Sequence, residues 1–370
     1  MSVKFEDFTL VVKDITGGNK KYGSTEYLSE GKYPIIDQGE KFIGGYINDE
    51  EVVKRDKDIV IFGDHTKVLK YVDFDFCLGA DGVKVLQPND KLTSKFLYYF
   101  LHTIELPNVG YSRHFKFLKE TKIPLPPLAT QKAISEKLDK ADALRKKDQE
   151  LLKQYDELAQ SIFIEMFGDP VQNEKGWEVE KLGNICSFEN GDRSSNYPSG
   201  DDLIEEGIPF LSTSNFSDGY LNFDRVNFIS LDKFNSLRKG KAKYGDLIIT
   251  LRGTLGQVII YDNLNYESAF INAQMMIIRG VEISNKVLYY FFKSDSVINF
   301  IKSQNTGSAV PQITSDFLNK MSIQLYPLDL QNQFAEKIKN IEAQKELVKK
   351  QAEESENLFQ ALLQESFSFT

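Results

Sequence analysis

Two long stretches of the chain carry a helical repeat of apolar residues, and the segments before them do not. From Ile134 onward, Leu138, Ala141, Leu152, Tyr155, Ala159, Ile162 and Met166 recur at alternating spacings of three and four, interrupted only around Arg145 and Asp148. A second series, Phe334, Ile338, Ile341, Val348, Ala352, Phe359 and Leu362, keeps the same register, with Lys345 standing where Arg145 stands. Each stretch follows prolines (Pro124, Pro126 and Pro127; then Pro327) and runs for nearly forty residues with no internal Pro or Gly, so each predicts one long helix. A narrow stripe of this period suits two helices packed as an antiparallel coiled coil, with an occasional polar residue fixing the alignment. Leu144, Leu151 and Leu158 widen the first stripe, so that helix is expected to touch more than one neighbour. At about 1.5 Å per residue each helix holds its ends roughly 50 Å apart.

The two stretches are copies of one another. At an offset of 200, Pro127-Leu128 matches Pro327-Leu328, Gln131 matches Gln331, Glu136-Lys137 matches Glu336-Lys337, Leu158 matches Leu358, and Gln160, Glu165 and Phe167 match Gln360, Glu365 and Phe367, all without a gap. The preceding segments echo more loosely. Tyr33-Pro34-Ile35-Ile36-Asp37 resembles Ile208-Pro209-Phe210-Leu211-Ser212, and Asp58-Ile59-Val60-Ile61 resembles Asp246-Leu247-Ile248-Ile249. Lys95 to Phe100 parallels Lys286 to Phe291, a predicted short helix in each copy. Short β-rich runs broken by Gly, Asn and Asp fill the rest, and Gly168-Asp169-Pro170 stops the first long helix. The predicted architecture is α+β: a first domain over 1–126, a long helix over 127–168, a second domain over 169–326 and a closing long helix over 327–370, the two domains being pseudo-symmetric with irregular sheets.

Composition narrows the class without naming it. With 370 residues, 41% hydrophobic and 12% aromatic, the chain is long enough for two cores and is far from the disordered class. No apolar run approaches the roughly 20 residues that span a bilayer, and the N-terminus lacks the basic start and apolar stretch of a signal peptide, which makes the cytoplasm the expected compartment. Cys77 and Cys186 are expected as free thiols. A net charge of −9 runs against a nucleic-acid binder. Acids concentrate in the last helix, however, at Glu342, Glu346, Glu353, Glu354 and Glu356, and a cleft elsewhere can still be locally positive.

Catalytic signatures are missing: no Asn-Pro-Pro-Tyr tetrapeptide, no Gly-rich strand-to-helix turn and no Walker loop. Glu120-Thr121-Lys122 is half of a nuclease motif without its upstream Pro-Asp. His65, His102 and His114 have no metal-ligand spacing to the cysteines and are read as ordinary surface or core residues, with phosphate contact open to His65 and His114.

Pro-Leu-Pro-Pro-Leu at 124–128 followed by Gln131, Met166-Phe167-Gly168-Asp169-Pro170, Gly176-Trp177 leading to Leu182-Gly183-Asn184-Ile185, and Gly307 to Ile313 ahead of the second long helix together resemble the specificity subunit of type I restriction-modification enzymes, over essentially the whole chain. Two places depart from that pattern: Leu325-Tyr326-Pro327-Leu328-Asp329 loses most of the prolines, and Phe5-Glu6-Asp7-Phe8 stands where a tryptophan is common. The resemblance implies that each domain reads one half of a split sequence in double-stranded DNA, while the helices set the gap and dock two modification subunits. It also implies that methyl transfer from S-adenosylmethionine belongs to those partners, with no cofactor or catalysis in this chain, and that cleavage belongs to restriction subunits. Half-sites about one helical turn apart suit such a spacing. A coiled-coil scaffold without DNA binding is the competing reading.

Reading DNA needs cations or amides for phosphates and bidentate side chains for base edges, and polar loops carry them here. The expected contacts in the first domain are His65, Lys67, Tyr111, Arg113 and Lys116. In the second they are Thr213, Asn215, Arg252, Thr254, Gln304, Asn305, Ser308 and Gln312. The run ending at Gln312 lies at the same point of its domain as the run from Tyr111 to Lys116.

Overall fold

The computed structural model describes residues 3–80, 82–107, 112–217, 220–223, 226–252, 256–263, 265–304 and 312–369. The chain forms two compact units, one of residues 1–150 with 348–370 and the other of residues 151–347, so each unit takes part of both long helices.

In the first unit two four-stranded sheets are built from β1 (Val12–Asp14), β2 (Lys21–Tyr22), β3 (Tyr33–Ile36), β4 (Gly45–Ile47), β5 (Ile59–Gly63), β6 (Leu69–Val72), β7 (Cys77–Gly79) and β8 (Val83–Pro88). An antiparallel sheet runs in the order β1-β8-β5-β6, and a mixed sheet runs β2-β7-β3-β4 with β7 parallel to both β2 and β3. Successive residues of β5 face opposite ways. Val60 and Phe62 join a core with Phe96, Leu97 and Phe100 of helix α1 (Ser94–His102), whereas Ile59 and Ile61 join Ile36, Phe76, Leu78 and Val85 against the mixed sheet. A strand buried on both faces reads as a continuous apolar run, which is why Ile59-Val60-Ile61-Phe62 shows no alternation. Helix α2 (Phe115–Leu118) closes this core through Phe115 and Leu118.

The second unit repeats the plan. Its two four-stranded sheets are built from β9 (Cys186–Asn190), β10 (Ile208–Leu211), β11 (Asn227–Ile229), β12 (Lys241–Lys243), β13 (Leu247–Thr250), β14 (Val258–Ile260), β15 (Ser268–Ile271) and β16 (Met275–Gly280). The antiparallel sheet, β9-β16-β13-β14, has the same strand succession as its counterpart, and the mixed sheet runs β11-β10-β15-β12 around the parallel pair β10 and β15. The fourth strand of the mixed sheet differs: β2 precedes β3 and runs parallel to β7, whereas β12 falls between β11 and β13 and runs antiparallel to β15. Leu247 and Ile249 face helix α3 (Asn285–Lys293), while Ile248 faces the mixed sheet.

The central helix (Leu128–Phe167) and the C-terminal helix (Leu328–Phe367) begin where the prolines predict. The carbonyl of Pro127 accepts from the backbone of Thr130 and Gln131, and that of Pro327 from Leu330 and Gln331. Gly168, at φ +84, ends the central helix in the left-handed conformation, and the Trp177 indole donates to the carbonyl of Phe167, the last helical residue, at 2.7 Å. In the first unit the N-terminal part of the central helix lies antiparallel to the end of the C-terminal helix: Lys137 pairs with Glu365, Arg145 with Glu356, and Gln351 donates to Asp148. In the second unit the remaining halves pair the same way, with Asp156 against Lys345 and Phe163 against Phe334. The buried stripe of the central helix departs from expectation at its end. Phe163 and Phe167 are fully buried, while Ile162 and Met166 are only partly covered, because this end packs against both the partner helix and α3. Leu144 and Leu158 are exposed.

One glutamine in each unit ties the segment ahead of its short helix to its long helix. Gln131, fully buried, accepts from the backbone N–H of Thr93 at 2.9 Å and donates to the carbonyls of Lys91 and Pro126. Gln331 accepts from Ser284 N–H at 2.9 Å and donates to the Tyr326 carbonyl. Thr93 and Ser284 are the N-caps of α1 and α3.

Cys77 and Cys186 are buried free thiols, and burial pushes that of Cys186 up to about 12. Among the described residues no helix is long and apolar enough to cross a membrane, and no three His, Cys, Asp or Glu side chains form a metal-holding group.

Candidate nucleic-acid interface

In the first unit, β5 turns into β6 through Asp64, His65, Thr66 and Lys67, a tight turn in which Lys67 adopts φ +61. Its backbone N–H donates to the Gly63 carbonyl, and its ammonium reaches the Pro107 carbonyl at 3.3 Å. Asp64, almost wholly buried, organises the neighbourhood. Its N–H donates to the Gly82 carbonyl in the β7–β8 turn, its own carbonyl accepts from His114 N–H, and its carboxylate accepts from Phe115 N–H at 2.7 Å. The segment carrying Arg113 and Lys116 is thereby fastened to the turn carrying His65 and Lys67, four of the five expected contact residues of this unit. Arg113 and Lys116 are exposed, and the Lys116 ammonium sits 4.8 Å from the Phe117 ring. Tyr111 lies outside the described residues.

His114 is corrected by this geometry. It is 1% exposed, its Nδ1 lies 3.1 Å from the Asp64 carbonyl and its Nε2 is buried, so it is a core residue rather than a phosphate contact. The run through Lys116 is also not all loop, since Phe115 opens the short helix α2.

The second unit builds the same arrangement with different side chains. Leu251 N–H donates to the Gln274 carbonyl in the β15–β16 turn, and Ile313 N–H donates to the Leu251 carbonyl, as Asp64 and His114 do in the first unit. Arg252 and Gln312, far apart in sequence and both exposed, meet: Arg252 Nε donates to Gln312 Oε1 at 3.0 Å. Thr213 reaches Gln274 on the neighbouring turn. Asn215 turns inward. Its Oδ1 accepts from the backbone and hydroxyl of Ser212 and its Nδ2 donates to the Asn222 carbonyl, which spends the amide on holding the turn rather than presenting it. Gln304 is exposed just beyond helix α4 (Asp295–Ser303). Thr254, Asn305 and Ser308 lie outside the described residues.

Each unit thus gathers four chain segments at one place: the stretch just beyond β3 or β10, where Gln38 bonds His65 and Thr66 in the first unit and Thr213 reaches Gln274 in the second, the hairpin turn, the next strand turn, and the approach to the last short helix. Such a surface combines exposed cations with amides held on rigid strand ends, the two chemistries that phosphate anchoring and base reading require. The sequence reading missed Arg193, exposed and donating to the Ala273 carbonyl at 2.8 Å, and Gln274. Each is a single polar residue in a short turn, with nothing in the sequence to distinguish it from a solvated one.

A family model described as the type I restriction modification DNA specificity domain matches residues 4–154 and 174–357. The type I restriction enzyme MjaVIII specificity subunit of Methanocaldococcus jannaschii is 23% identical, with 96% of this chain and 86% of that protein covered. A putative type I restriction enzyme specificity subunit of Haemophilus influenzae is 25% identical over 79% of this chain and 74% of its own length. Among solved structures, the S subunit of a type I restriction-modification system from M. genitalium covers 100% of this chain and 97% of that one, with a TM-score of 0.54 and 17% identity, a likeness of fold.

Proposed function

The chain belongs to the type I restriction modification DNA specificity family, and from that premise we propose how it works: each unit reads one half of a bipartite DNA target, while the paired helices set the spacing and dock two modification subunits. Its role is DNA sequence specificity. The recurrence of one four-segment arrangement in both units, tied by corresponding backbone hydrogen bonds at Asp64 and Leu251, is the observation that carries the two-reader reading. Two related surfaces on one chain suit a target in two parts.

In this reading Lys67, Arg113 and Lys116 anchor phosphates in the first unit, with His65 and Tyr111 as further contacts. Arg252 and Gln312 work as a pair in the second, with Thr213, Thr254, Gln304, Asn305 and Ser308 as further contacts. Methyl transfer from S-adenosylmethionine resides in the modification subunits and cleavage in restriction subunits, so this chain supplies recognition without catalysis, in the cytoplasm.

The test is to express the chain with its modification subunits, expose DNA of random sequence and map the methylated bases. Two short fixed blocks separated by a constant number of unspecified base pairs are expected. A single contiguous block would reject the two-reader reading, and failure to select or retain any DNA at low salt would favour a protein-binding scaffold.

A further inference from the structure

Strand register aligns the two units residue by residue. Ile36 pairs with Leu78 in the first unit where Leu211 pairs with Ile271 in the second, so Gln38, two residues beyond Ile36, corresponds to Thr213. Gly63 pairs with Val83 where Thr250 pairs with Met275, so Gly82 corresponds to Gln274. The matching bonds from Asp64 N–H to Gly82 and from Leu251 N–H to Gln274 confirm this second correspondence.

Within each unit the two positions touch. A methyl group added at Gly82 would lie 2.5 Å from Nε2 and 2.6 Å from Oε1 of Gln38, so the Gln38 carboxamide fills the space in front of Gly82. In the second unit Thr213 Oγ1 lies 3.4 Å from Gln274 Oε1. A single carboxamide therefore stands at the same place in both units, delivered from opposite members of the pair. The backbone explains the exchange. Gly82 adopts φ +89, a conformation that disfavours any side chain, so the first unit brings its carboxamide in on residue 38.

Both glutamines stand among the cationic loops of their sites. Gln38 Oε1 accepts from His65 N–H at 3.3 Å, and Gln274 sits in the turn whose Ala273 carbonyl accepts from Arg193. Gln274 is exposed and Gln38 half-buried. A carboxamide carries one donor and one acceptor side by side, the pattern that matches N7 and the N6 amine of adenine in the major groove.

We propose that Gln38 and Gln274 are equivalent base-reading residues, each selecting an adenine in the half-site of its own unit. This rests on the reading of both units as DNA-recognition domains. The test maps methylation targets of the full chain with its modification subunits for wild type, Gln38→Met and Gln274→Ala. Each variant is expected to lose roughly tenfold or more of its discrimination at one A·T pair, Gln38→Met in one half-site and Gln274→Ala in the other, with the remaining positions and the spacing unchanged. Confinement to one base pair separates lost reading from misfolding, which loosens a whole half-site. If wild type selects a bipartite sequence and the variants select the same one with equal stringency, or relax a half-site uniformly, the assignment of the glutamines is wrong while the two-reader function stands. If wild type selects no bipartite sequence, the underlying reading fails first.

Discussion

Arg145 donates to Glu356 across the helix pair at 3.2 Å, and the residues displaced from them by 200, Lys345 and Asp156, form the equivalent ion pair at 2.6 Å. The apolar stripe is interrupted in both copies because each unit places one cross-helix ion pair at that level. A polar pair of this kind contributes little net stability and much alignment, since slipping either helix by a turn strands a charge. The guanidinium of Arg145 also lies 4.6 Å from the Phe359 ring and bonds Asp142, which is nearly buried.

Arg145→Ala is therefore expected to destabilise the first unit by about 1–2 kcal/mol, discounted because Glu356 is 41% exposed. A double-mutant cycle with Glu356→Ala in urea unfolding should give a coupling of about 0.5–1 kcal/mol. A coupling near zero would remove the ion pair from the account and leave only the packing of Arg145.

Asp148 offers a sharper case. It is 1% exposed, Gln351 Nε2 donates to its Oδ1 at 2.6 Å, and among the described residues its Oδ2 has no hydrogen-bond partner. The residues displaced by 200 from Asp148 and Gln351 are Val348 and Leu151, both apolar. Gln351→Leu alone should cost about 3 kcal/mol or more by leaving a buried carboxylate unpaired, while Gln351→Leu with Asp148→Val should match or exceed wild type by about 1–4 kcal/mol. Circular dichroism during urea unfolding distinguishes the two. A double variant no more stable than the single one would show that the pair itself stabilises the helices.

The second unit should be the more acid-sensitive at one network. Glu189 accepts from Arg279 at 2.7 Å and from the N–H groups of Gly240 and Lys241, and Arg279 also bonds both oxygens of Asp246. Burial pushes the Glu189 carboxyl upward, but the bonds from Arg279 and the two N–H groups outweigh it and hold it below the usual glutamate value. A carboxylate depressed in the fold stabilises fully above its unfolded value, about 4.3, and that contribution drains away as pH falls through the folded value. The first unit has Gln87 in register with Arg279 and lacks the network. Trp177, the chain's one tryptophan, lies in the second unit and reports its unfolding. Its urea midpoint should fall more steeply between pH 5 and roughly 3 in wild type than in Glu189→Gln, which starts lower; parallel curves would exclude Glu189 as the sensor.

What could be read from the sequence was what punctuation and period determine locally. Prolines and Gly168 bounded the long helices, and Gln131 with Gln331 marked the repeat because each must satisfy the same N-cap backbone group. The strands around Val60 and Ile248 announced themselves as apolar runs because both faces are covered. What stayed hidden depends on neighbours. Phe163 and Phe167 win the core over Ile162 and Met166 because α3 rotates the buried face, and Asn215 looks like a loop amide until its turn is seen to consume it. Gln274 gains meaning only from register with Gly82.

Electrostatics gives the most direct check on the first unit's interface. Arg113 and Lys116 are exposed and are fixed to the Lys67 turn through Asp64 rather than through their own side chains. Substituting either by Ala should then leave folding intact while removing one phosphate contact. Binding by the chain with its modification subunits should weaken alike on matched and mismatched DNA, and the slope of log K against log salt should shrink by about 1 per residue. Arg252→Ala differs, because Arg252 also positions Gln312 at 3.0 Å; losing it should relax base preference in the other half-site as well as lower the slope. A slope unchanged in Arg113→Ala and Lys116→Ala would place the phosphate path elsewhere on the unit.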